Sequence, residues 1–247
     1  MLQVCLNGTR KPAEHPALPV SPAELAAEAV AAVAAGAQDV HLHPKSPDGT
    51  DSLEPDVVAA AVRAVRDALP TAVRVGVTTG AWAEPDPALR LALVRGWTVL
   101  PDHASVNWHE DGAEELAAAL LDRGVGVEAG IFSGEHVAGR FVASPLASRV
   151  LRVLAEVTDP DPATATGAAE TLLDSLLDSL LDSLLDSLGR RRVLLHGQDG
   201  GAWPVLALAG RLGLSTRIGL EDVLVLPDDS APAGNADLVR AARKLGT

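Results

Sequence analysis

Short apolar segments alternate with longer amphipathic segments along the whole chain, and this alternation constrains the fold more than any other feature. Strict alternation of strands and helices predicts parallel strands joined by helical crossovers. Eight such units in 247 residues predict a single (β/α)8 TIM barrel domain over residues 1–247. The predicted strands are residues 2–6, 39–43, 72–78, 103–107, 125–132, 150–157, 192–196 and 216–220.

The segments between the predicted strands carry helix signals. Ser21-Pro-Ala-Glu24 has the pattern of a capping box with proline at the first helical position, and Gly36 ends that helix. An open doubly wound sheet is the alternative fold, but it usually has a glycine-rich phosphate loop after its first strand, and Asn7-Gly-Thr-Arg is not such a loop. The predicted helices are residues 22–35, 55–69, 87–95, 114–123, 135–142, 163–188, 203–212 and a last one from 235.

A tandem repeat lies in the sixth predicted helix, before the seventh strand. Residues 172–187 are Leu-Leu-Asp-Ser four times over. Each four-residue step turns a helix by about 400°, so the leucine pair drifts by about 40° per copy, and one barrel wall cannot bury every pair. A helix over residues 163–188 would be about 39 Å long. We interpret most of the repeat as an expansion, and a harmless insertion, a contact between subunits and damage to the fold are its alternative consequences.

The charge balance excludes some classes of partner. Asp plus Glu outnumber Lys plus Arg by 33 to 20, a net charge of −13, which argues against a nucleic acid or an anionic membrane as the main partner. No apolar run approaches the ~20 residues of a membrane span. The N-terminal residues do not resemble a secretory signal, and the single cysteine, Cys5, rules out an internal disulfide. We therefore expect a cytoplasmic protein.

Two histidines at the end of the second predicted strand are the sharpest chemical signal. Residues i and i+2 of a strand share a face, so His41 and His43 point to the same side and can chelate one divalent ion. Glu221 and Asp222 end the eighth predicted strand and would face opposite ways, so that one carboxylate binds metal while the other acts as a base. Such a set suits zinc or ferrous iron. The alternatives are one buried and one solvated histidine, and carboxylates that only cap the next segment.

Other polar residues lie where predicted strands end, which is the catalytic face of a TIM barrel. Arg217 lies on an apolar strand, where it pairs with Asp222 or with an anionic substrate, or forms a purely structural ion pair. The glycine-rich residues 197–201 are either a phosphate-binding loop or a plain turn. His196 is either a proton donor or a hydrogen-bonded structural residue. The remaining strand-end residues are Asn7, Thr78, Thr79, Ser105, Asn107, Glu128 and Glu156.

Several of these motifs together resemble one enzyme family. The segment His-Leu-His-Pro-Lys-Ser-Pro-Asp-Gly at 41–49 is similar to the His-x-His segment of the β-keto acid cleavage enzymes, whose founding member is the 3-keto-5-aminohexanoate cleavage enzyme. Thr78-Thr-Gly80, Ser105-Val-Asn107 and Ser215-Thr-Arg-Ile-Gly-Leu-Glu-Asp222 are further matches. The resemblance runs from residue 2 to the C-terminus, with the Leu-Leu-Asp-Ser repeat as its one foreign insertion.

The resemblance implies a zinc-dependent, homo-oligomeric TIM barrel enzyme. Such enzymes convert a β-keto acid and acetyl-CoA into acetoacetate and a new acyl-CoA. A metal-dependent aldolase or decarboxylase that does not use CoA, and a non-catalytic barrel scaffold, are the alternatives. The implied site comprises the zinc ligands His41, His43 and Glu221, the catalytic residues Arg217, Asp222 and Glu128, and the substrate-binding residues Thr79, Ser105 and Asn107. Gly200 and Gly201 are the candidate seat for a CoA phosphate.

Overall fold

Eight parallel strands form one sheet in the computed structural model, which describes residues 1–179 and 193–247. The strand order is β7-β6-β5-β4-β3-β2-β1-β8. Consecutive strands are therefore neighbours in this order, except for β7 and β8, which stand at its two ends. The strands are β1 (Leu2–Cys5), β2 (Asp39–Leu42), β3 (Arg74–Val77), β4 (His103–Asn107), β5 (Gly126–Phe132), β6 (Arg152–Val157), β7 (Val193–Gly197) and β8 (Thr216–Ile218). The predicted (β/α)8 architecture is confirmed.

The sheet closes into a barrel between β7 and β8. Leu194 forms a parallel bridge with Ser215, and the Leu195 amide donates to the Ser215 carbonyl at 2.9 Å. The Thr216 hydroxyl donates to the Leu195 carbonyl at 2.7 Å. The contact between β7 and β8 therefore combines a short backbone ladder with one side-chain hydrogen bond.

Helices follow the strands as predicted. The capping box at Ser21 is present, since Glu24 caps the Ser21 amide and the Ser21 hydroxyl caps the Glu24 amide. The helix predicted at residues 135–142 begins later, at Ala138, because residues 133–137 form turns. The helices are α1 (Pro22–Ala34), α2 (Pro55–Ala68), α3 (Pro87–Gly96), α4 (Ala113–Asp122), α5 (Ala138–Ala143), α6 (Ala165–Ser179), α7 (Ala202–Leu212) and α8 (Asn235–Lys244).

The Leu-Leu-Asp-Ser repeat begins inside α6. Leu172 and Leu176 are buried, whereas Asp174 and Ser175 are exposed. Four residues turn a helix by about 400°, so the first leucines of two successive copies still lie on nearly the same side of the helix. The predicted continuation of this helix to residue 188 and the remaining repeat copies lie outside the described residues. The consequences of the expansion therefore stay predictions.

The two faces of the strands have opposite polarity. Side chains that point toward the helices are apolar, and Val4, Val40, Val75 and Val127 are completely buried there. Successive side chains of a strand point to opposite faces, so the residues on either side of each of these valines point into the barrel, and most of them are polar. Helices thus pack on a valine- and alanine-rich surface, while the barrel interior is filled by hydrogen-bonded and ionic side chains.

A buried ion cluster fills the amino-terminal half of the barrel interior. Arg152 lies 2.7 Å from Asp39 and 2.9 Å from Glu128, and His103 Nε2 lies 2.8 Å from Asp39. Gln3 bridges the two carboxylates at 3.1 and 3.0 Å. Gly76 leaves the space for this arrangement, because a Cβ there would overlap the His103 ring. Two cations and two anions thus balance one another, and none of the four side chains is more than 6% exposed.

The cluster shifts the pKa values of its members. Burial alone would lower the pKa of His103, but Glu128 and Asp39 outweigh burial and raise it to about 10. Burial alone would raise the pKa of both carboxyl groups, but His103 and Arg152 hold the pKa of Asp39 below, and that of Glu128 well below, their ordinary values. His103 is therefore an imidazolium that forms ion pairs in the folded protein.

Protonated His103 makes stability depend on pH. Its pKa is raised on folding, so its contribution is complete below the unfolded value of about 6.5 and is lost as the pH rises toward about 10. We expect the free energy of unfolding of the wild type to exceed that of His103→Gln most at pH ~6.5. This difference should shrink by up to ~1.4 kcal/mol per pH unit above that value. Urea unfolding of both proteins between these pH values measures it, and parallel pH profiles would contradict the prediction.

A helix needs about 20 predominantly apolar residues to span a membrane. None of the helices in residues 1–179 and 193–247 is long and apolar enough to cross a membrane.

Candidate active site

A cavity of about 200 Å³ lies at the carboxyl ends of the strands, where a TIM barrel carries its chemistry. Most of the residues that the sequence nominated meet in it. β2 and the segment after β8, which lie on either side of β1, both contribute residues to its lining. The nominated residues that line the cavity are His41, His43, Thr78, Ser105, Asn107, Glu156, Arg217, Glu221 and Asp222.

Three of these side chains converge as a metal site would require. His41 Nε2 lies 3.8 Å from one oxygen of Glu221, and His43 Nε2 lies 3.7 Å from the other. These distances are too long for hydrogen bonds but close to the ~3.4 Å that separates two ligands of a tetrahedral zinc ion with ~2.1 Å bonds. Glu221 Oε2 is buried and has no hydrogen-bond partner among the described residues. The donor set therefore fits a divalent metal ion.

The ionisation states of the ligands also suit a metal. Burial is the main cause that lowers the pKa of His41 to about 4, so its imidazole is neutral at pH 7. Burial alone would raise the pKa of Glu221, but Arg217 and the two histidines outweigh it and lower the pKa to about 2. A neutral imidazole and an ionised carboxylate are the forms that coordinate zinc.

Asn7 and Gly8, just after β1, help to position the ligands. The Asn7 side chain accepts from the His43 amide and donates to the His43 carbonyl, both at 2.9 Å. Gly8 has a positive φ of 56°, and a Cβ there would overlap the Glu221 side chain. The loop after β1 thus holds the His43 backbone in place and leaves space for the Glu221 side chain.

Glu221 and Asp222 lie in a turn and not on a strand, which corrects the sequence expectation. β8 ends at Ile218, and the amides of Asp222 and Val223 donate to the Gly219 carbonyl at 2.9 and 3.0 Å. Gly219 allows this turn to pack directly on the Cys5 backbone. Because the chain turns here, both carboxylates face the cavity, where strand alternation would have sent them to opposite sides.

Arg217 links the two carboxylates within the cavity. Its Nε donates to Asp222 at 3.1 Å, and its Nη2 donates to Glu221 at 2.9 Å. The same Nε lies 3.2 Å from His196 Nδ1, and His196 Nε2 lies 3.4 Å from Glu156. Asp222 Oδ2 is buried without a hydrogen-bond partner among the described residues. Asp222 therefore keeps one oxygen free to accept a proton, with its other oxygen held by Arg217.

The remaining walls combine hydrogen-bonding and aromatic groups. Asn107 donates to Glu110 at 2.8 Å, and both oxygens of Glu110 accept from the Ala81 amide at 3.0 Å. This anchors the loop that carries Trp82, whose ring stacks on His43 with an interplanar angle of 6° and centroids 5.8 Å apart. These contacts hold the Asn107 side chain and the Trp82 ring in place at the cavity.

Thr79 and Glu128 were expected in the site, and the structure places both elsewhere. The Thr79 hydroxyl donates to the Ser105 carbonyl at 2.6 Å, while Thr78 lines the cavity, because successive residues after β3 point to opposite sides. Glu128 is completely buried and belongs to the ion cluster with His103 and Arg152. Its partners lie in the amino-terminal half of the interior, it is not among the residues that line the cavity, and its catalytic role stays a prediction.

The glycines after β7 have a packing reason of their own. Gly200 and Gly201 lie in a 3-10 turn, where a Cβ would overlap the carbonyl oxygens of Pro160 and Asp159 respectively. The Gly201 amide already donates to the Gln198 carbonyl at 2.9 Å. A plain, tightly packed turn therefore accounts for this glycine cluster, and its role toward a CoA phosphate stays a prediction.

Sequence reasoning missed several residues that contact or line the site. Asp51 binds His43 across a loop, and Trp82 was not singled out. Gln198 lies within residues 197–201, where only the glycines were given a role. Gln198 donates to Glu156, which was noted only as a strand end. The one available signal was for Phe132 and Leu154, which occupy inward positions by the period of two.

The sequence of the whole chain matches one family. The profile of BKACE, the beta-keto acid cleavage enzymes, covers residues 1–247. The chain belongs to this family. The match confirms the resemblance that the His-x-His and Arg–Glu–Asp motifs indicated, and the cavity described above contains those same motifs.

Solved structures share the fold at low sequence identity. The ternary complex of ObcA with a C4-CoA adduct and oxalate has 19% identity and a TM-score of 0.61, and the match covers 93% of this chain but 63% of that one. The chain thus spans less than two thirds of the length of that protein. The 3-dehydroquinate dehydratase from Aquifex aeolicus VF5 has 11% identity and a TM-score of 0.56, over 99% and 98% of the two chains. At these identities the similarity shows the fold alone.

Proposed function

We propose that this protein is a zinc-dependent β-keto acid cleavage enzyme that uses acetyl-CoA as its second substrate. The observation that carries the proposal is the convergence of two imidazole nitrogens and the Glu221 carboxylate beside the Arg217–Asp222 pair in one cavity. Family membership supports the reaction class, and the CoA adduct bound by ObcA supports the use of CoA. A structural role alone would not require a buried ligand set with unpaired acceptor atoms.

The overall reaction exchanges one acyl group for another. The bond between the α and β carbons of the keto acid breaks, and the α carbon forms a bond with the acetyl carbon, which yields acetoacetate. The CoA sulfur leaves the acetyl group and bonds to the former β carbon, which yields the new acyl-CoA. Atoms and charges balance without an oxidant or a reductant.

His41, His43 and Glu221 would hold the zinc ion. Bound there, zinc supplies Lewis acidity that stabilises negative charge on a carbonyl oxygen. All three side chains line the cavity, and catalytic zinc sites with three protein ligands keep a fourth position for water or substrate.

Asp222 is the base that removes a proton from the α carbon. Its free Oδ2 accepts the proton, while Arg217 holds Oδ1 at 3.1 Å from its Nε and so fixes the direction of the carboxylate. Arg217 also offers positive charge near the developing anion, although its Nη2 already contacts Glu221. Ser105 and Asn107 face the cavity from the opposite wall, where they would bind the substrate carboxylate.

Metal content and turnover test the proposal together. We expect about one zinc ion per chain in protein purified without chelator, and its loss from the His41→Ala/His43→Ala variant, because two of three protein ligands are removed. The wild type should form acetoacetate from acetyl-CoA and a panel of β-keto acids, and the variant should not. Elemental analysis and acetoacetate detection are the measurements.

The possible results separate the candidate functions. Turnover that does not require CoA would replace this proposal with the aldolase or decarboxylase. A different metal that is lost in the same variant would retain the site but change the chemistry. A folded wild type that binds no metal would contradict the proposal and favour the scaffold.

Two coarser expectations accompany the proposal. A cytoplasmic location agrees with a single buried, unpaired cysteine at position 5. A homo-oligomer is expected from the family resemblance, and light scattering of the purified protein measures it.

A further inference from the structure

A short hairpin follows directly after the metal-binding histidines. Lys45 and Asp51 form an antiparallel bridge, the Ser46 amide donates to the Thr50 carbonyl at 2.8 Å, and the Ser52 amide donates to the Pro44 carbonyl at 2.9 Å. The turn at its tip brings Asp51 back beside His43. Eight positions separate these two residues in the sequence, so no helix or strand period predicts their contact.

Asp51 uses both of its carboxylate oxygens in this hairpin. Its Oδ2 lies 2.7 Å from His43 Nδ1, and its Oδ1 lies 2.5 Å from Lys45 Nζ. The side chains are 6% exposed for Asp51 and 1% exposed for Lys45. An ammonium group this deeply buried needs a counter-ion, and Asp51 provides it. Asp51 is thereby held in one orientation toward the imidazole.

The two metal-binding histidines differ in this respect. His43 has a carboxylate on Nδ1, whereas His41 Nδ1 is buried and has no hydrogen-bond partner within the described part of the chain. A carboxylate on one ring nitrogen accepts the N–H there, and the other nitrogen is then left with its lone pair. For His43, that other nitrogen is Nε2, which faces Glu221 at 3.7 Å.

We propose that Asp51 is a positioning residue that keeps the proton of His43 on Nδ1 and so presents Nε2 to the metal, with Lys45 as the counter-ion that holds Asp51 in place. The inference rests on the metal site of the proposed function. It adds a contact that works through His43 and does not touch the substrate. The proposal also accounts for Lys45, whose ammonium group donates to Asp51 and which is not among the residues that line the cavity.

Zinc affinity is the first test. We expect Asp51→Asn to bind zinc about 10–100-fold more weakly than wild type, because an amide can donate to Nδ1 and favour a proton on Nε2. Asp51→Asn leaves Lys45 buried without its counter-ion, so the double variant Asp51→Asn/Lys45→Met provides a second measurement with no unpaired charge. Competition with a chromophoric chelator, with zinc alone as the ligand, gives the dissociation constants.

Asp48 offers a matched control on the same hairpin. Its exposed carboxylate accepts from the Thr50 amide and hydroxyl at 3.0 and 2.7 Å and has no contact with His43. Asp48→Asn makes the same change of charge and should leave zinc affinity within about twofold of wild type. Equal affinity of Asp51→Asn, the double variant and wild type would overturn the proposal.

The tautomer of His43 in the metal-free wild type is the second test, and it does not depend on zinc binding. Long-range ¹H–¹⁵N spectra should show His43 protonated on Nδ1, and the double variant should shift toward Nε2. A wild type with His43 protonated on Nε2 would overturn the positioning role. A wild type with the Nδ1 proton but no zinc affinity would overturn the proposed function alone.

Discussion

Asp222→Asn should lower kcat by about 10²–10⁴-fold while the protein keeps its zinc. The substitution preserves the shape of the side chain and its contact with Arg217, but it removes the oxygen that is free to accept a proton. The three proposed ligands are unchanged, so metal content separates this effect from loss of the site. Steady-state kinetics with acetyl-CoA and the best β-keto acid measure the change.

Asp228 provides the control for this substitution. It lies in the loop after the site, where its carboxylate accepts from the Ser230 amide at 3.2 Å and is exposed to solvent. Asp228→Asn alters the charge equally and should leave kcat unchanged. If Asp222→Asn retained full activity with zinc bound, another group would have to be the base.

Arg152→Met should lower the free energy of unfolding by about 3–5 kcal/mol. Arg152 pairs with Asp39 at 2.7 Å and with Glu128 at 2.9 Å inside the barrel. Without it, two buried carboxylates would share His103 as their one remaining cation among the described contacts, and uncompensated buried charge is costly. Urea unfolding at pH ~7 measures the loss.

Arg149→Met is a matched comparison three residues earlier. Arg149 pairs with Asp122 at 3.4 Å, but the two side chains are 49% and 72% exposed. Solvent screens such a pair, so its loss should cost no more than about 1 kcal/mol. Similar losses for both variants would contradict the view that burial makes the Arg152 contacts important. The comparison also tests Glu128 as a structural residue, because its closest cation is removed.

The pattern of strands and helices in the sequence predicted most of the fold. Alternation of short apolar segments with longer amphipathic segments reproduced all eight strands, because each strand buries an apolar face under the helices. The strand period of two also placed His41 and His43 on one face, because residues i and i+2 of a strand point to the same side. Errors arose at strand ends, where turns replace the period, as at residues 219–222.

Long-range partners were beyond the reach of the sequence. Glu128 and His103 were visible as polar residues on buried strands, but only closure of the barrel brings Asp39, Arg152 and Gln3 around them. Glu128 was therefore interpreted as catalytic from the family resemblance and its place on a strand, and its contacts with His103, Arg152 and Gln3 were not foreseen. The polar inward face of several strands was a signal of such a cluster, although it did not identify the partners.

The sequence by itself determined the class of fold, the family and the types of residue at the site, because these depend on local periodicity and on motifs within a few residues. Only the tertiary structure decided which side chains meet. The turn at Gly219 directs both Glu221 and Asp222 into the cavity, and the hairpin after β2 returns Asp51 to His43. Such contacts depend on how chain segments pack in three dimensions, and side-chain packing between distant segments has no sequence period.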